Sequence, residues 1–168
     1  MTKIEKIKKR HLLKKREQRI ELERIEKALS SPIKGFDSKS RFEAGILDDG
    51  TKVLMFGGDI LFFESKDAIY PTLHALLKEM IVIPKVSVDM GAVRFVVNGA
   101  DIMRPGITNI EDGINEGSIV AIVDERHGKP LAVGISTLSS EELRAATSGK
   151  VIKSVHYVND DLWNFSKS

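Results

Sequence analysis

The sequence predicts an α+β protein, with a small N-terminal α+β domain over residues 1–80 and a β-rich, barrel-like domain over residues 81–168. Three observations predict this class. The first 29 residues contain neither glycine nor proline, glycine-containing turns separate strand-like runs between residues 41 and 64, and short strands dominate the chain after Pro84. A length of 168 residues suits two small domains, since domains run from about 50 to about 250 residues.

The N-terminal segment predicts one or two helices over residues 2–29. Thr2-Lys3-Ile4-Glu5 has the form of a capping box, apolar residues recur at helical spacing, and Ser30-Ser31-Pro32 marks the end. Residues 1–27 hold eleven Lys or Arg and five Glu, a net charge of +6, which leaves a net charge of −4 for residues 28–168. Such a basic helix either contacts phosphate groups or presents a solvated face, and both interpretations stay open.

Two hairpins and a helix complete the first domain. Turns at Asp48-Asp49-Gly50 and Gly57-Gly58 separate the strands, and the second turn joins two apolar runs that predict a hairpin with both strands buried. Pro71 or Thr72 then begins an amphipathic helix of about three turns that reaches Met80.

The second domain alternates short strands with turns that contain glycine or proline. Asp89 predicts the N-cap of a short helix whose apolar positions Val93, Val96 and Val97 fall on one face. Ser139-Ser140-Glu141-Glu142 begins another helix, which ends at Ser148-Gly149. Short strands and few helices indicate a small barrel. The predicted strands are residues 86–89, 102–103, 118–124, 131–136 and 151–158.

A set of short motifs follows in order from Lys85 to Trp163. They are Val88-Asp89-x-Gly91-Ala92, Gly99-Ala100-x-Ile102-Met103-x-Pro105-Gly106-Ile107, Gly117-Ser118-Ile119-Val120, Ala132-Val133-Gly134, Gly149-Lys150 and His156-Tyr157-x-Asn159-Asp160-x-Leu162-Trp163. In this order they resemble the PUA domain, an RNA-binding module named after pseudouridine synthases and archaeosine transglycosylases. Before them, Leu61-Phe62-Phe63 and Tyr70-Pro71-Thr72-Leu73 look like the preceding domain of the malignant T-cell-amplified sequence and ligatin family, whose archaeal relatives share this pre-PUA plus PUA arrangement.

The resemblance implies a PUA pseudo-barrel that binds structured RNA through residues 91–107 and parts of 134–137 and 150–153. On such a surface Gly91, Gly99 and Gly106 are expected to keep backbone amides reachable. Each candidate phosphate-binding cation has an alternative interpretation as a solvated side chain. These cations are Lys85, Arg94, Arg104, Lys150 and Lys153.

The resemblance also implies a role in translation. Malignant T-cell-amplified relatives act on the small ribosomal subunit in reinitiation and recycling, and they pair with density-regulated protein. The expected partners are therefore rRNA or tRNA, the small ribosomal subunit and a protein that binds residues 1–80. The sequence predicts a non-catalytic, cytoplasmic RNA-binding protein, and the alternatives are a protein-interaction adaptor or the RNA-targeting subunit of an RNA-modification complex.

No catalytic site, metal or cofactor is predicted. The chain has no cysteine, its four histidines lack the spacing of metal ligands, and no glycine-rich phosphate loop is present. The adjacent carboxylates at residues 48–49, 141–142 and 160–161 are explained by a turn and two helix starts. No apolar run approaches the ~20 residues of a membrane span, and the charged N-terminus lacks a secretory signal, which favours an intracellular protein.

Two residues near the C-terminus are interpreted as structural. His156 belongs to the His-Tyr tail of the resemblance. Trp163 is expected to anchor the tail over the barrel, because large aromatic side chains commonly tie down a chain end, and the alternative is that it stacks on a base together with Phe165.

Overall fold

The computed structural model describes the backbone of residues 7–167 and the side chains of residues 7–165. These residues cluster into two compact units. One comprises the residues up to Val82 together with the segment from Asp161 onward, and is called the N-terminal unit. The other, Ile83–Asp160, is called the barrel unit. The predicted α+β class is confirmed, since each unit combines a sheet with helices.

The N-terminal unit is built on a five-stranded antiparallel sheet in which every strand pairs with the next along the chain. The buried core includes Phe42, Leu47, Leu61 and Leu73, all without exposed surface. Its strands are β1 (Ile7–Leu12), β2 (Glu43–Leu47), β3 (Lys52–Phe56), β4 (Asp59–Ser65) and β5 (Ala68–Pro71), and its first two helices are α1 (Lys15–Leu29) and α2 (Leu73–Leu77). The predicted hairpin of β3 and β4 is confirmed, with apolar runs buried on both strands.

Strand β1 shows that the predicted helix over residues 2–29 is wrong for residues 7–12. Arg10 lies opposite Gly45 of β2, and its Nε donates to Glu43 Oε2 at 2.8 Å. Lysine and arginine favour helices locally, but a partner strand 33 residues away outweighs that preference. Helix α1 therefore begins only at Lys15. The predicted capping box of residues 2–5 lies outside the described residues.

Helix α2 is shorter than the three turns that the apolar spacing predicted. Thr72 is its N-cap as expected, with Oγ1 accepting from the Ala75 N–H at 3.3 Å and donating to the Ile60 carbonyl at 2.7 Å. Glu79 then adopts a left-handed conformation with φ +56°. This turn brings the Met80 N–H to the Ala75 carbonyl at 3.0 Å and buries the Met80 side chain, so the chain leaves the helix after Leu77.

The barrel unit contains a six-stranded sheet in the order β7-β11-β10-β9-β6-β8. Strands β7 and β8 form its two edges, although only the three residues of a 3₁₀ turn, Arg104–Gly106, separate them in sequence, so the sheet must curl round on itself. The strands are β6 (Lys85–Val88), β7 (Ile102–Met103), β8 (Ile107–Ile110), β9 (Ile119–Asp124), β10 (Pro130–Ser136) and β11 (Lys150–Tyr157), and the helices are α3 (Met90–Val96) and α4 (Ser140–Ala145).

The barrel elements follow the sequence prediction closely, except that α4 ends at Ala145 and not at Ser148-Gly149, because Ala146 is extended. Asp89 caps α3, and Ser139 with Glu142 forms a capping box at α4. Strand β8 was not predicted, because its residues directly follow the turn-forming Arg104-Pro105-Gly106, yet it pairs with β6. The core packs the predicted helix position Val96 against strand residues such as Ile122 and Ile152.

Helix α5 (Asp161–Lys167) packs against α2 and β4 and so belongs to the N-terminal unit. Trp163 is 8% exposed, and its ring stacks on His74 with centroids 4.5 Å apart and an interplanar angle of 9°. The prediction that Trp163 anchors the tail is confirmed, but the expected position over the barrel is wrong, because the surface that receives the ring is formed by α2.

Candidate nucleic-acid interface

The candidate surface begins at α3, which Asp89 fixes by accepting from the Ala92 N–H at 2.8 Å. Between α3 and β7 lies a mostly apolar groove of about 330 Å³, lined in part by Ala92, Phe95 and Met103. Phe95 is 54% exposed and Met103 is 51% exposed. Two large apolar side chains thus open onto one groove and give it an exposed apolar contact surface.

Phe95 and Met103 are absent from the predicted set of site residues. A signal for Phe95 is visible in the sequence, because it lies outside the apolar face that Val93, Val96 and Val97 form on α3. Met103 carries no such signal, since its exposure depends on where β7 lies beside β11.

Three predicted cations lie on this surface. Arg94 projects from α3 with its guanidinium carbon 4.7 Å from the centroid of the Phe95 ring, a cation–π arrangement. Lys150 lies opposite Met103 in the ladder of β11 and β7. Lys153 follows three residues later on β11 and is exposed. We call Arg94, Phe95, Met103, Lys150 and Lys153 the α3–β11 surface.

Asp101 lines the groove and holds Lys150 beside it. Its Oδ1 accepts from the Ser154 N–H at 2.8 Å and its Oδ2 accepts from Lys150 Nζ at 3.1 Å. Partial burial opposes ionisation of this carboxyl, but the bonds from Ser154 and Lys150 and the charges of Lys150 and Lys153 outweigh it and lower the Asp101 pKa. Asp101 therefore orients Lys150 through a direct bond, and it interacts with Lys153 through charge.

The Asp101 carboxylate is expected to stabilise the fold in a pH-dependent way. Because its pKa in the folded protein lies below the ordinary value, the stabilisation is present above pH ~4 and disappears as pH falls through the lowered pKa. We expect Asp101→Asn to lower the free energy of unfolding by about 1 kcal/mol at pH 7. Urea unfolding of both proteins at pH 7 and pH 3 measures this, and a difference that is the same at both values would contradict the assignment.

Arg104 has a different environment from the one predicted. Its Nε donates to the Leu143 carbonyl at 2.6 Å and one terminal nitrogen donates to the Ile107 carbonyl at 3.3 Å. The side chain is half-buried and joins the end of α4 to β8. Arg104 therefore joins α4 to β8 through two of its N–H groups and does not line the groove of the α3–β11 surface.

Lys85 is not brought to the α3–β11 surface by the sheet. It lies at the start of β6, three strands from β11 in the sheet order, and its N–H donates to Glu111 Oε1 at 2.7 Å. An exposed carboxylate thus lies beside this lysine.

The three predicted glycines shape the surface mainly through packing. Gly99 has φ +88°, and a Cβ there would lie 2.7 Å from the ring of Tyr157, so no larger residue fits. Its N–H already donates to the Val96 carbonyl at 3.0 Å, which corrects the expectation of a reachable amide at this position. A Cβ on Gly106 would lie 3.2 Å from Ala92, and Gly91 is exposed in the first turn of α3.

His156 is fully buried, and its Nδ1 lies 2.8 Å from Asp160 Oδ2, which also accepts from the Tyr157 N–H at 3.0 Å. This arrangement closes the turn after β11 and agrees with the structural interpretation of His156. Among the side chains that the structure describes, no group of three or more histidine, aspartate or glutamate residues is arranged to hold a metal ion. No helix within residues 7–167 is long and apolar enough to cross a membrane.

Comparison with known families defines the class of protein. Residues 84–158 match the PUA domain, and residues 9–79 match a domain described as DUF1947, a domain of unknown function. A PUA domain protein from Aeropyrum pernix K1, solved as a tartrate complex, superposes with a TM-score of 0.80 at 26% identity over 98% of both chains. The chain is thus a PUA protein with a DUF1947 domain before the barrel.

Relatives of nearly the same length identify the family. An uncharacterized protein of Methanocaldococcus jannaschii is 37% identical over 95% of this chain and 98% of its own length. Translation machinery-associated protein 20 of Saccharomyces cerevisiae is 35% identical over 76% of this chain and 74% of its own length. The chain belongs to the family of translation machinery-associated protein 20 and the malignant T-cell-amplified sequence proteins, which confirms the resemblance found in the sequence.

Proposed function

We propose that this protein is a non-catalytic RNA-binding protein of translation, acting in the cytoplasm, and that it binds structured RNA, either rRNA of the small ribosomal subunit or tRNA, through the α3–β11 surface. The observation that carries the proposal is the combination of exposed Phe95 and Met103 with three exposed cations around one groove. Its role in translation is supported by the family, whose members include translation machinery-associated protein 20.

The chemistry of the surface suits single-stranded or looped RNA. Lys150 and Lys153 are three residues apart on one strand and offer ammonium groups to successive phosphates. Phe95 offers a ring face or edge for base stacking, and Arg94 over that ring adds a planar guanidinium next to it. Unstacked bases in loops and ends can reach such a groove, whereas the bases of an intact A-form helix cannot.

The positions of individual cations, more than the net charge of the barrel unit, would determine RNA affinity. The barrel unit holds eight Lys or Arg and ten Asp or Glu, a net charge of −2. Long-range attraction of a polyanion by this unit is therefore weak. Binding then depends on the few cations of the α3–β11 surface, and removing two of them should have a large effect.

We expect Lys150→Gln/Lys153→Gln to weaken binding of tRNA or a small-subunit rRNA fragment about tenfold, because two phosphate contacts are lost. The slope of log affinity against log salt concentration should fall by about 1.5. The matched control is Arg126→Gln/Lys129→Gln, which removes the same charge from the exposed turn between β9 and β10. Filter binding at several salt concentrations gives both values.

Two results would contradict the proposal. One is wild-type affinity for RNA that does not exceed that of a protein with the same composition and scrambled charges. The other is an equal loss of affinity in the control variant, which would show that only total charge matters. Thermal unfolding of all variants separates loss of binding from loss of folding.

A second candidate function is that of a protein-interaction adaptor that acts through the N-terminal unit. A cavity of about 690 Å³ lies between α1 and the face of the sheet, with Val53 and Phe63 in its lining. Leu12 and Ile20 in the same unit are 51% and 53% exposed. A pull-down from nuclease-treated lysate distinguishes the two functions, because an adaptor keeps its partner after the RNA has been degraded and an RNA-tethered complex does not.

A further inference from the structure

A polar crevice of about 260 Å³ lies on the barrel unit between β8 and the end of α4. It shares no lining residue with the groove of the α3–β11 surface. Two arginines converge on it, and an exposed hydroxyl and an exposed amide lie between them. The lining residues are Arg104, Ile107, Thr108, Asn109, Ile110 and Arg144.

Main-chain carbonyls hold both guanidinium groups in place. Arg104 donates to the Ile107 carbonyl at 3.3 Å, and Arg144 donates to the Ile110 carbonyl at 2.8 Å. These carbonyls belong to the first and last residues of β8, so the two arginines are anchored on one strand. A guanidinium has five N–H groups, and Arg104 uses two of them in its bonds to Ile107 and Leu143. Donors therefore remain for a ligand in the crevice.

The positive charge of the crevice is poorly compensated. Both acceptors of the half-buried Arg104 are neutral carbonyls. Arg144 contacts Asp112 Oδ1 at 2.6 Å, but the Asp112 side chain is 91% exposed, and so exposed a pair is screened by water and contributes little. A half-buried guanidinium without a counter-ion attracts an anion more strongly than a solvated one does.

We infer that this crevice binds a phosphate group. Two planar guanidinium forks match the oxygens of a phosphate, and Thr108 and Asn109 add an uncharged hydroxyl and amide donor at its edge. The inference rests on the proposed function for the source of that group, which is the backbone of the bound RNA. The crevice is then a second contact, separate from the groove at α3, that fixes the orientation of the strand on the barrel unit.

The phosphate site can be tested on the full-length protein without RNA. Inorganic phosphate should shift the amide resonances of residues 108–110 and 144 in a saturable way, and Arg144→Gln should weaken this binding at least about fivefold. The control Arg126→Gln removes the same charge elsewhere on the unit and should bind phosphate like the wild type. Absence of a saturable shift at residues 108–110 in the wild type overturns the inference even if a variant fails to fold.

RNA binding identifies the source of the phosphate. Arg144→Gln should weaken RNA binding about fivefold and reduce the salt slope by about 0.8, while Arg126→Gln leaves both unchanged. Saturable phosphate shifts with unchanged RNA affinity in Arg144→Gln would overturn the RNA assignment and identify a site for free phosphate. If the wild type binds phosphate at the crevice but no RNA, the proposed function fails and the phosphate site stands.

Discussion

Gly134→Ala is expected to lower the free energy of unfolding of the barrel unit by about 3 kcal/mol, the upper end of the usual cost of overpacking a core. A Cβ at this position would lie 2.6 Å from the Lys153 carbonyl oxygen and 2.8 Å from Cγ2 of Ile152. Gly134 pairs with Ser154 at the point where the register of β10 and β11 shifts. The Lys153 carbonyl belongs to the backbone of β11, so it can move away only if the pairing of β10 and β11 is disturbed. A change of side-chain rotamer therefore does not relieve the clash.

Gly91→Ala is the matched control for this effect. A Cβ on Gly91 would meet only the Asp89 Oδ1, at 3.3 Å, and the residue lies in the exposed first turn of α3. Alanine is the better helix former, so we expect this variant to be as stable as the wild type or more stable by up to ~1 kcal/mol. The single tryptophan reports on the N-terminal unit, so amide exchange in β10 and β11 is the measurement of choice. Equal stabilities of the two variants would contradict the prediction.

The parts of the fold that the sequence predicted well depend on short-range signals. Asp89, Ser139 and Glu142 bond to backbone groups within three residues of themselves. Their roles as helix caps therefore depend only on the neighbouring sequence. The turn at Gly50 likewise needs one left-handed residue, with φ +89°, and the turn at Gly57-Gly58 needs two, with φ +63° and +86°. Such signals can be read without knowing which distant segment is adjacent.

The predictions that failed depend on distant partners. Helix and strand compete at residues 7–12, and pairing with β2 decides the outcome. Strand β8 similarly depends on β6, some twenty residues before it. Sequence reasoning therefore placed the basic segment entirely in a helix and missed one edge of the barrel.

The residues of the candidate site also fall into those that the sequence could identify and those that depend on distant contacts. Arg94, Lys150 and Lys153 could be named as exposed cations from the motifs around them. Arg104 looked equivalent in sequence, but its guanidinium bonds to the Leu143 carbonyl, 39 residues away. Met103 could not be found, because its exposure follows from the short ladder of β7 and β11.

Trp163→Ala is expected to destabilise the N-terminal unit by about 3 kcal/mol, the lower end of the range for removing a buried tryptophan. The indole is 8% exposed and stacks on His74, and helix α5 that carries it packs on α2 and β4. Removing the ring leaves His74 without its stacking partner and opens a cavity beneath α5. The amides of α2 and β4 should lose protection against hydrogen exchange first.

The variant Trp163→Phe tests whether the stabilisation comes from an aromatic ring stacked on His74 or from helix α5 as a whole. Phenylalanine keeps a ring that can stack on His74, so we expect it to retain roughly half of the stability that Trp163→Ala loses. Because both variants lack the fluorescent indole, amide exchange is compared in α2 and in the barrel strand β10. Loss of protection in β10 with α2 unchanged would mean that the tail is anchored over the barrel after all. Loss confined to α2 and β4 would establish that α5 stabilises the N-terminal unit.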